Sequence, residues 1–173
     1  MGAMRMIADL MEVAARTAPK AKGEDFISVQ IIEGEALGRL ADAMDAYGRE
    51  TGRKNFDRDG RGIRESSAVL LVGLKGATRA GLNCGACGQA RCAELPDPAD
   101  GPEFAGPQCA FRLLDLGIAL GSAAKTAGLL NADSRLMYRA GVLARRLGMI
   151  EADLVIGVPI SASGKNIYFD RPA

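Results

Sequence analysis

A layered α+β domain, with a central sheet flanked by helices and a cysteine loop inserted into it, is the fold class this sequence predicts. Three observations carry that expectation. Ala68–Leu74 is an unbroken apolar run of strand length, as expected of a strand buried on both faces. Leu37, Leu40, Ala41, Met44 and Tyr47 recur at helical spacing, and so do Leu136, Ala140, Leu143 and Leu147. Helical and extended segments interleave without strict βαβ alternation, which favours layers over a regular parallel barrel. At 173 residues the chain predicts a single domain, residues 1–173, large enough to bury roughly two thirds of its unfolded surface.

The elements follow in order. Met1 to Ala15 predicts an amphipathic helix with Ile7, Leu10, Met11 and Ala14 on one side; Asp9 and Glu12 within it argue against an export signal. Pro19 ends that pattern in a polar turn, Arg16 to Lys20. Phe26 to Ile32 is rich in β-branched residues and predicts a strand. The second helix covers Leu37 to Tyr47, with Gly48 as its expected stop. Arg49 to Glu65 mixes charges around Gly52, Gly60 and Gly62, which predicts a solvated loop or a frayed helix.

After Ala68–Leu74 the chain enters the cysteine loop and then turns helical from Cys109. There Phe111, Leu114 and Ile118 are expected on the apolar face, with Arg112, Asp115 and Lys125 on the other. Gly117, Gly121 and Gly128 would each cost about 1 kcal/mol relative to alanine inside a helix. Their presence implies the close approach of a helix, a subunit partner or a flat cofactor. Opposite the Leu136 to Leu147 stripe, Arg135, Arg139, Arg145 and Arg146 predict a solvated face, and Leu154 to Ile160 predicts the last strand.

Composition removes several function classes. The 22 basic and 21 acidic residues nearly cancel, and with only three tyrosines, five phenylalanines and no tryptophan, no nucleic-acid partner is expected. No apolar run of about 18 residues occurs, so no membrane span is expected. Histidine is absent. This removes His-containing zinc sites, Rieske centres and Ser-His or Cys-His nucleophile pairs. A cytoplasmic, reducing setting is expected, where clustered cysteines favour metal over disulfides.

All four cysteines lie in one array, Cys84-x2-Cys87-x4-Cys92-x16-Cys109. Four thiolates match the ligand count of a 4Fe-4S cluster or of a structural zinc. Zinc usually takes paired knuckles, whereas three thiols within nine residues suit the corners of one cube. Gly85 and Gly88 allow positive φ and close approach of backbone N–H groups to sulfur. Cys109 follows Gly106 and Pro107 at the expected start of a helix, where the partial positive charge favours a thiolate. Residues 84–109 are therefore the candidate metal loop.

CGACGQARC followed by Cys109 resembles the CGxCGxxxC...C module of corrinoid iron-sulfur proteins and of ferredoxin-type subunits of membrane-bound redox complexes. The resemblance implies Cys84, Cys87, Cys92 and Cys109 as ligands of a 4Fe-4S cluster and an electron-transfer role toward an unidentified redox partner protein. Gln89 and Ala90 stand where those modules often carry an aromatic and a proline. AVLLVGLKG, LNCGACG, DLGIALGSAAKTAG and GVPISASGKNIYFDR resemble a family of small prokaryotic ferredoxin-domain proteins of unknown function.

DLGIALGSAAKTAGLL and the later VIGVPIS are similar to the second half of nitroreductase-type flavoproteins. That likeness implies an α/β/α layered architecture and a homodimer. It also implies FMN as a possible second cofactor, its phosphate neutralised by Arg16, Lys20, Lys165 and Arg171. Three functions are weighed accordingly: an iron-sulfur electron carrier, an FMN-dependent nitroreductase-like oxidoreductase, and a structural zinc module.

Overall fold

The computed structural model describes residues 2–169. In chain order its elements are helix α1 (Ala3–Thr17), a 3-10 turn (Ala21–Gly23), strand β1 (Ile27–Ile32), helices α2 (Glu35–Thr51) and α3 (Phe56–Arg64), and strand β2 (Ala68–Leu74). A second 3-10 turn (Cys92–Glu94), the two-residue strands β3 (Ala99–Asp100) and β4 (Ala105–Gly106), and helix α4 (Ala110–Leu129) follow. Strand β5 (Asp133–Ser134), helix α5 (Tyr138–Arg146) and strand β6 (Leu154–Ser161) complete it.

The main sheet has the order β1-β2-β6-β5 and is antiparallel throughout; β3 and β4 pair in a separate small ribbon. Every residue of β2 is buried because the strand is central and covered on both faces. Alternation sorts its side chains between two cores. Leu70, Val72 and Leu74 face Ala8, Met11 and Ala15 of α1 and Leu116, Ala119 and Ala123 of α4. Val69 and Leu71 face Leu40 and Met44 of α2, Ile63 of α3 and Leu143 of α5. The result is three layers, α1 and α4 against one face of the sheet and α2, α3 and α5 against the other.

Two glycines stand where neighbouring atoms leave no room for a side chain. A Cβ on Gly141 of α5 would lie 1.8 Å from the carbonyl oxygen of Val155 on β6, and one on Gly73 would lie 2.6 Å from Cβ of Ala152. At Gly141 the helix backbone lies directly against the backbone of β6.

Several expectations are corrected. α2 passes through Gly48 and ends at Thr51, with Gly52 left-handed at φ 68°. Gly48 instead admits Phe56, whose Cβ would lie 2.9 Å from a Cβ at that position. The charged stretch 49–65 holds a formed helix, α3, because Phe56 and Ile63 are buried and Asp59 collects Arg58 at 2.7 Å and Arg139 at 2.9 Å. The arginines in and just before α5 are committed rather than merely solvated. Arg145 donates to the Ala152 carbonyl and to Asp100, Arg146 donates to the Pro102 carbonyl and stacks on Tyr47, and Arg135 donates to the Tyr168 carbonyl.

The largest correction concerns α4. Leu114 and Ile118 are exposed, whereas Arg112 is 0% and Asp115 4% exposed. Small residues bury the sheet-facing side instead, with Ala119, Ala123 and Ala127 letting α4 lie close to the sheet and α1. On α1, Ala8, Met11 and Ala15 turn inward, leaving Met6, Leu10 and Val13 exposed.

Candidate functional site

β2 ends at Leu74 and delivers the chain into the loop that carries three of the four cysteines. Its path follows from its small residues: Gly81, Asn83, Gly85 and Gly88 all have positive φ, and the Gly88 N–H donates to the Gly85 carbonyl at 2.9 Å across the Cys84-to-Cys87 bend. Asn83 and Cys92 clasp the loop reciprocally. The Asn83 N–H donates to Cys92 Sγ at 3.2 Å, and the Cys92 N–H donates to Asn83 Oδ1 at 2.8 Å. Sequence reasoning passed over Asn83, although its place directly before Cys84 and its tolerance of left-handed backbone were legible.

Cys109 is the N-cap of α4 and is buried, while Cys84 is exposed and Cys87 and Cys92 are half-buried. Cys109 packs with Ala80 and Leu95, and Cys87 and Phe111 lie against that cluster. Burial pushes the Cys109 thiol up, but backbone N–H groups of Ala80, Phe111 and Arg112, together with the Arg112 charge, outweigh it and hold the thiol below its ordinary range. All four cysteines are free thiols. Among the described residues no three thiol or carboxylate groups stand close enough together to hold a metal ion as they are.

Behind Cys109 lies a buried ionic cluster that the sequence reading had turned toward solvent. Arg112 donates through Nε to the Thr78 carbonyl (2.9 Å), through Nη1 to the Ala21 carbonyl (3.0 Å) and to Asp115 (3.3 Å), and through Nη2 to Glu24. Its guanidinium lies 4.7 Å from the centre of the Phe26 ring, and Asp115 accepts from the Ala21 N–H at 2.7 Å. One side chain therefore ties the start of α4 to the entry of the cysteine loop and to the 3-10 turn after α1. Five rigid donors make arginine suited to this, and lysine would not be equivalent. An i, i+3 Arg-Asp pair on an otherwise apolar helix was the available signal.

The four cations considered for a flavin phosphate fare differently. Arg16 donates to the Ile27 carbonyl at 2.5 Å. Lys20, only 6% exposed in its side chain, donates to the carbonyls of Ala15 and Arg16 and so caps the C-terminus of α1. Lys165 is exposed in the segment after β6, and Arg171 lies outside the described residues.

Two cavities are relevant. One of about 380 Å³ lies against the cysteine site, lined by Gly76–Arg79, Leu95–Pro98, Pro107, Gln108, Cys109 and Asp153. Another of about 620 Å³ is lined by Asp100, Glu103, Arg145, Arg146 and Glu151 among others, and contains no cysteine.

Comparison with known proteins agrees with this architecture. Residues 105–171 match the family described as "Uncharacterized protein containing a ferredoxin domain", a segment that includes Cys109 and stops short of the other three cysteines. An uncharacterized protein of Archaeoglobus fulgidus is 50% identical over 170 residues, covering 97% of this chain and 91% of that one. Among solved structures, an FMN- and NADPH-dependent nitroreductase derived from Sphigopyxis sp. strain HMH is similar at TM-score 0.61 and 13% identity, over 99% of this chain and 85% of that one. A nitroreductase with bound FMN from Desulfitobacterium hafniense DCB-2 is similar at TM-score 0.58 and 15% identity, over 95% and 80%. At such identities the likeness is one of fold, nitroreductase-like, and no more. No helix among the described residues is long and apolar enough to cross a membrane.

Proposed function

The chain belongs to the family of uncharacterized proteins containing a ferredoxin domain, and from that premise we propose that it is a cytoplasmic iron-sulfur electron carrier binding one 4Fe-4S cluster through Cys84, Cys87, Cys92 and Cys109. The observation that carries this reading is the setting of Cys109. A buried thiol at the N-cap position of α4, held below its ordinary range by neighbouring backbone N–H groups and the buried Arg112 guanidinium, is prepared to carry the charge of a thiolate ligand. The donor set fits the group: four thiols, no histidine and a loop of left-handed residues that can fold inward around a cube. Because three of the thiols lie on an exposed loop while Cys109 is anchored, binding would draw Cys84, Cys87 and Cys92 toward the start of α4.

The cluster, when bound, supplies one-electron transfer. The residues of this chain do the rest. Arg112 holds the entry of the loop, the Asn83 clasp sets the position of Cys92, and backbone N–H groups supply hydrogen bonds to sulfur. Exposure of Cys84 leaves the loop open to a redox partner protein.

Anaerobic reconstitution with iron and sulfide is the test. About four irons and four sulfides per chain are expected, with brown thiolate-to-iron charge-transfer absorption. A colourless protein holding one zinc would favour the structural zinc module and overturn this reading. For the flavin alternative, the specific support is the nitroreductase-like fold. Against it, Arg16 and Lys20 already serve backbone carbonyls. Flavin fluorescence released on denaturation of protein incubated with FMN decides that point.

A homodimer belongs to the same proposal. Gly117 and Gly121 lie one turn apart on the exposed side of α4, and a Cβ at either would meet nothing within 4 Å. Leu114 and Ile118 flank them, and the exposed Met6, Leu10 and Val13 of the neighbouring α1 extend the apolar surface. Small residues spaced i, i+4 allow two helix backbones to approach closely, and the second copy of α4 is the occupant this surface suits. Light scattering after chromatography should give twice the chain mass for the native protein and a monomer for Ile118→Asp. A native monomer would exclude it.

A further inference from the structure

Across the sheet from α1 and α4, helices α3 and α5 carry a cluster of charge that the cysteine site does not use. Asp59 of α3 is 3% exposed and accepts from two arginines. Arg58 donates to its Oδ1 through Nε at 2.9 Å and Nη2 at 2.7 Å, and Arg139 of α5 donates to its Oδ2 through Nη1 at 2.9 Å. Arg135, just before α5, brings Nη1 to 3.9 Å from Oδ1. Three guanidinium groups thus converge on one carboxylate, and two positive charges are left over.

Neighbouring charges do not remove the excess. Lys54, whose carbonyl accepts Arg139 Nε at 3.1 Å, adds a cation. Asp133 adds a carboxylate, which already accepts from Asn166 Nδ2 at 2.9 Å. Asp57 and Arg61, four residues apart on α3, offset one another. The side chains of Arg58, Arg135 and Arg139 are only 36%, 24% and 26% exposed, so their mutual repulsion is less screened than in open water. An anion would relieve it.

Donors remain for one. Arg58 spends Nε and Nη2, Arg139 spends Nε and Nη1, and Arg135 spends Nη1 on the Tyr168 carbonyl at 3.3 Å. Among the described residues nothing accepts from Nη1 of Arg58, Nη2 of Arg139, or Nε and Nη2 of Arg135. Guanidinium forks match the oxygens of a phosphate, whose charge of about −1.5 to −2 near pH 7 equals the excess. The exposed Phe169 ring, its centre 5.5 Å from the Arg135 guanidinium, stands beside the cluster.

We propose that Arg58, Arg135 and Arg139 form a binding site for a phosphate dianion, free or carried on a small molecule, with Asp59 holding the three side chains together. The site requires neither the cysteine loop nor a flavin.

Full-length, cluster-free protein is titrated with inorganic phosphate, ionic strength being held constant with chloride, and followed by NMR of the arginine Nε–H groups and the backbone. Saturable shifts at Arg58, Arg135 and Arg139 are expected. Arg135→Gln and Arg58→Gln should each weaken binding about tenfold, the loss of one charge-assisted hydrogen bond. Arg64→Gln, on the same helix but paired with Asp42 at 2.8 Å and Asp45 at 3.5 Å, should leave it unchanged. Phenyl phosphate separates the two sources: tighter binding that Phe169→Ala abolishes indicates a phosphate carried on a ring, and equal affinity indicates recognition of the phosphate itself. Shifts that never saturate, or that Arg64→Gln weakens as much as Arg135→Gln does, would show only a screened basic surface and overturn the proposal. Native affinity in both Arg58→Gln and Arg135→Gln would do the same. Absence of iron and sulfide after reconstitution would sink the cluster reading and leave this titration unaffected.

Discussion

Replacing Arg112 by methionine removes the guanidinium that joins three segments while keeping a long apolar side chain in its place. Four acceptors lose their donor: the carbonyls of Thr78 and Ala21, and the carboxylates of Asp115 and Glu24. Their environments decide the cost. The Glu24 side chain is 42% exposed and can turn to water, but that of Asp115 is 5% exposed and keeps only the Ala21 N–H among these contacts. An uncompensated buried carboxylate of this kind costs about 3 to 5 kcal/mol. Against a total stability of about 5 to 15 kcal/mol this is a large fraction. At roughly 2 to 4 °C per kcal/mol for a domain of this size, Tm should fall by about 6 to 20 °C. Arg112→Lys keeps the charge with fewer donors and no planar fork, so it should fall between the two. Urea unfolding with a common m-value is the assay. A loss below about 1 kcal/mol for Arg112→Met would refute the claim that this cluster anchors the loop entry.

Further outcomes follow from single contacts. Gly141→Ala places a methyl where the Val155 carbonyl stands, and should cost more than about 4 kcal/mol or prevent folding, measured by yield and by urea midpoint. Tyr168 is held well above the ordinary tyrosine range, by burial first and also by the nearby Asp133 carboxylate, which outweigh its hydrogen bond with Ser66. The fold therefore favours the neutral phenol. Its contribution is complete below the unfolded value of about 10 and is lost as pH rises above it. Absorbance titration should show a late-ionising tyrosine, and Tyr168→Phe should flatten the alkaline loss of stability. Asn83→Ala opens the clasp on Cys92; with the reconstituted protein, a chelator should remove iron faster while the unfolding midpoint moves by about 1 kcal/mol or less.

Much of the site was readable before the fold. Gly85 and Gly88 take the positive φ their positions implied, and Cys109 stands at the N-cap position of α4, as its place after Pro107 suggested. The helix faces were not so readable. α4 carries apolar residues on several sides, so its periodicity could not say which side meets the sheet; the alanines did, because closeness rather than size is what that contact requires. Likewise, charge suggested solvent for Arg112, Asp59 and the α5 arginines, and pairing overrode it.

Local properties of the chain sufficed for the number of cysteines, the absence of histidine, the buried central strand and the turn chemistry of the loop, since each depends on residue type and near neighbours. The partners of Arg112, up to 91 residues distant at Ala21, and the cavity whose walls come from four separate segments arise only when the sheet brings those segments together. Long-range contacts of this kind leave no periodic mark on the sequence, because a buried charge is stabilised by groups that can come from anywhere in the chain.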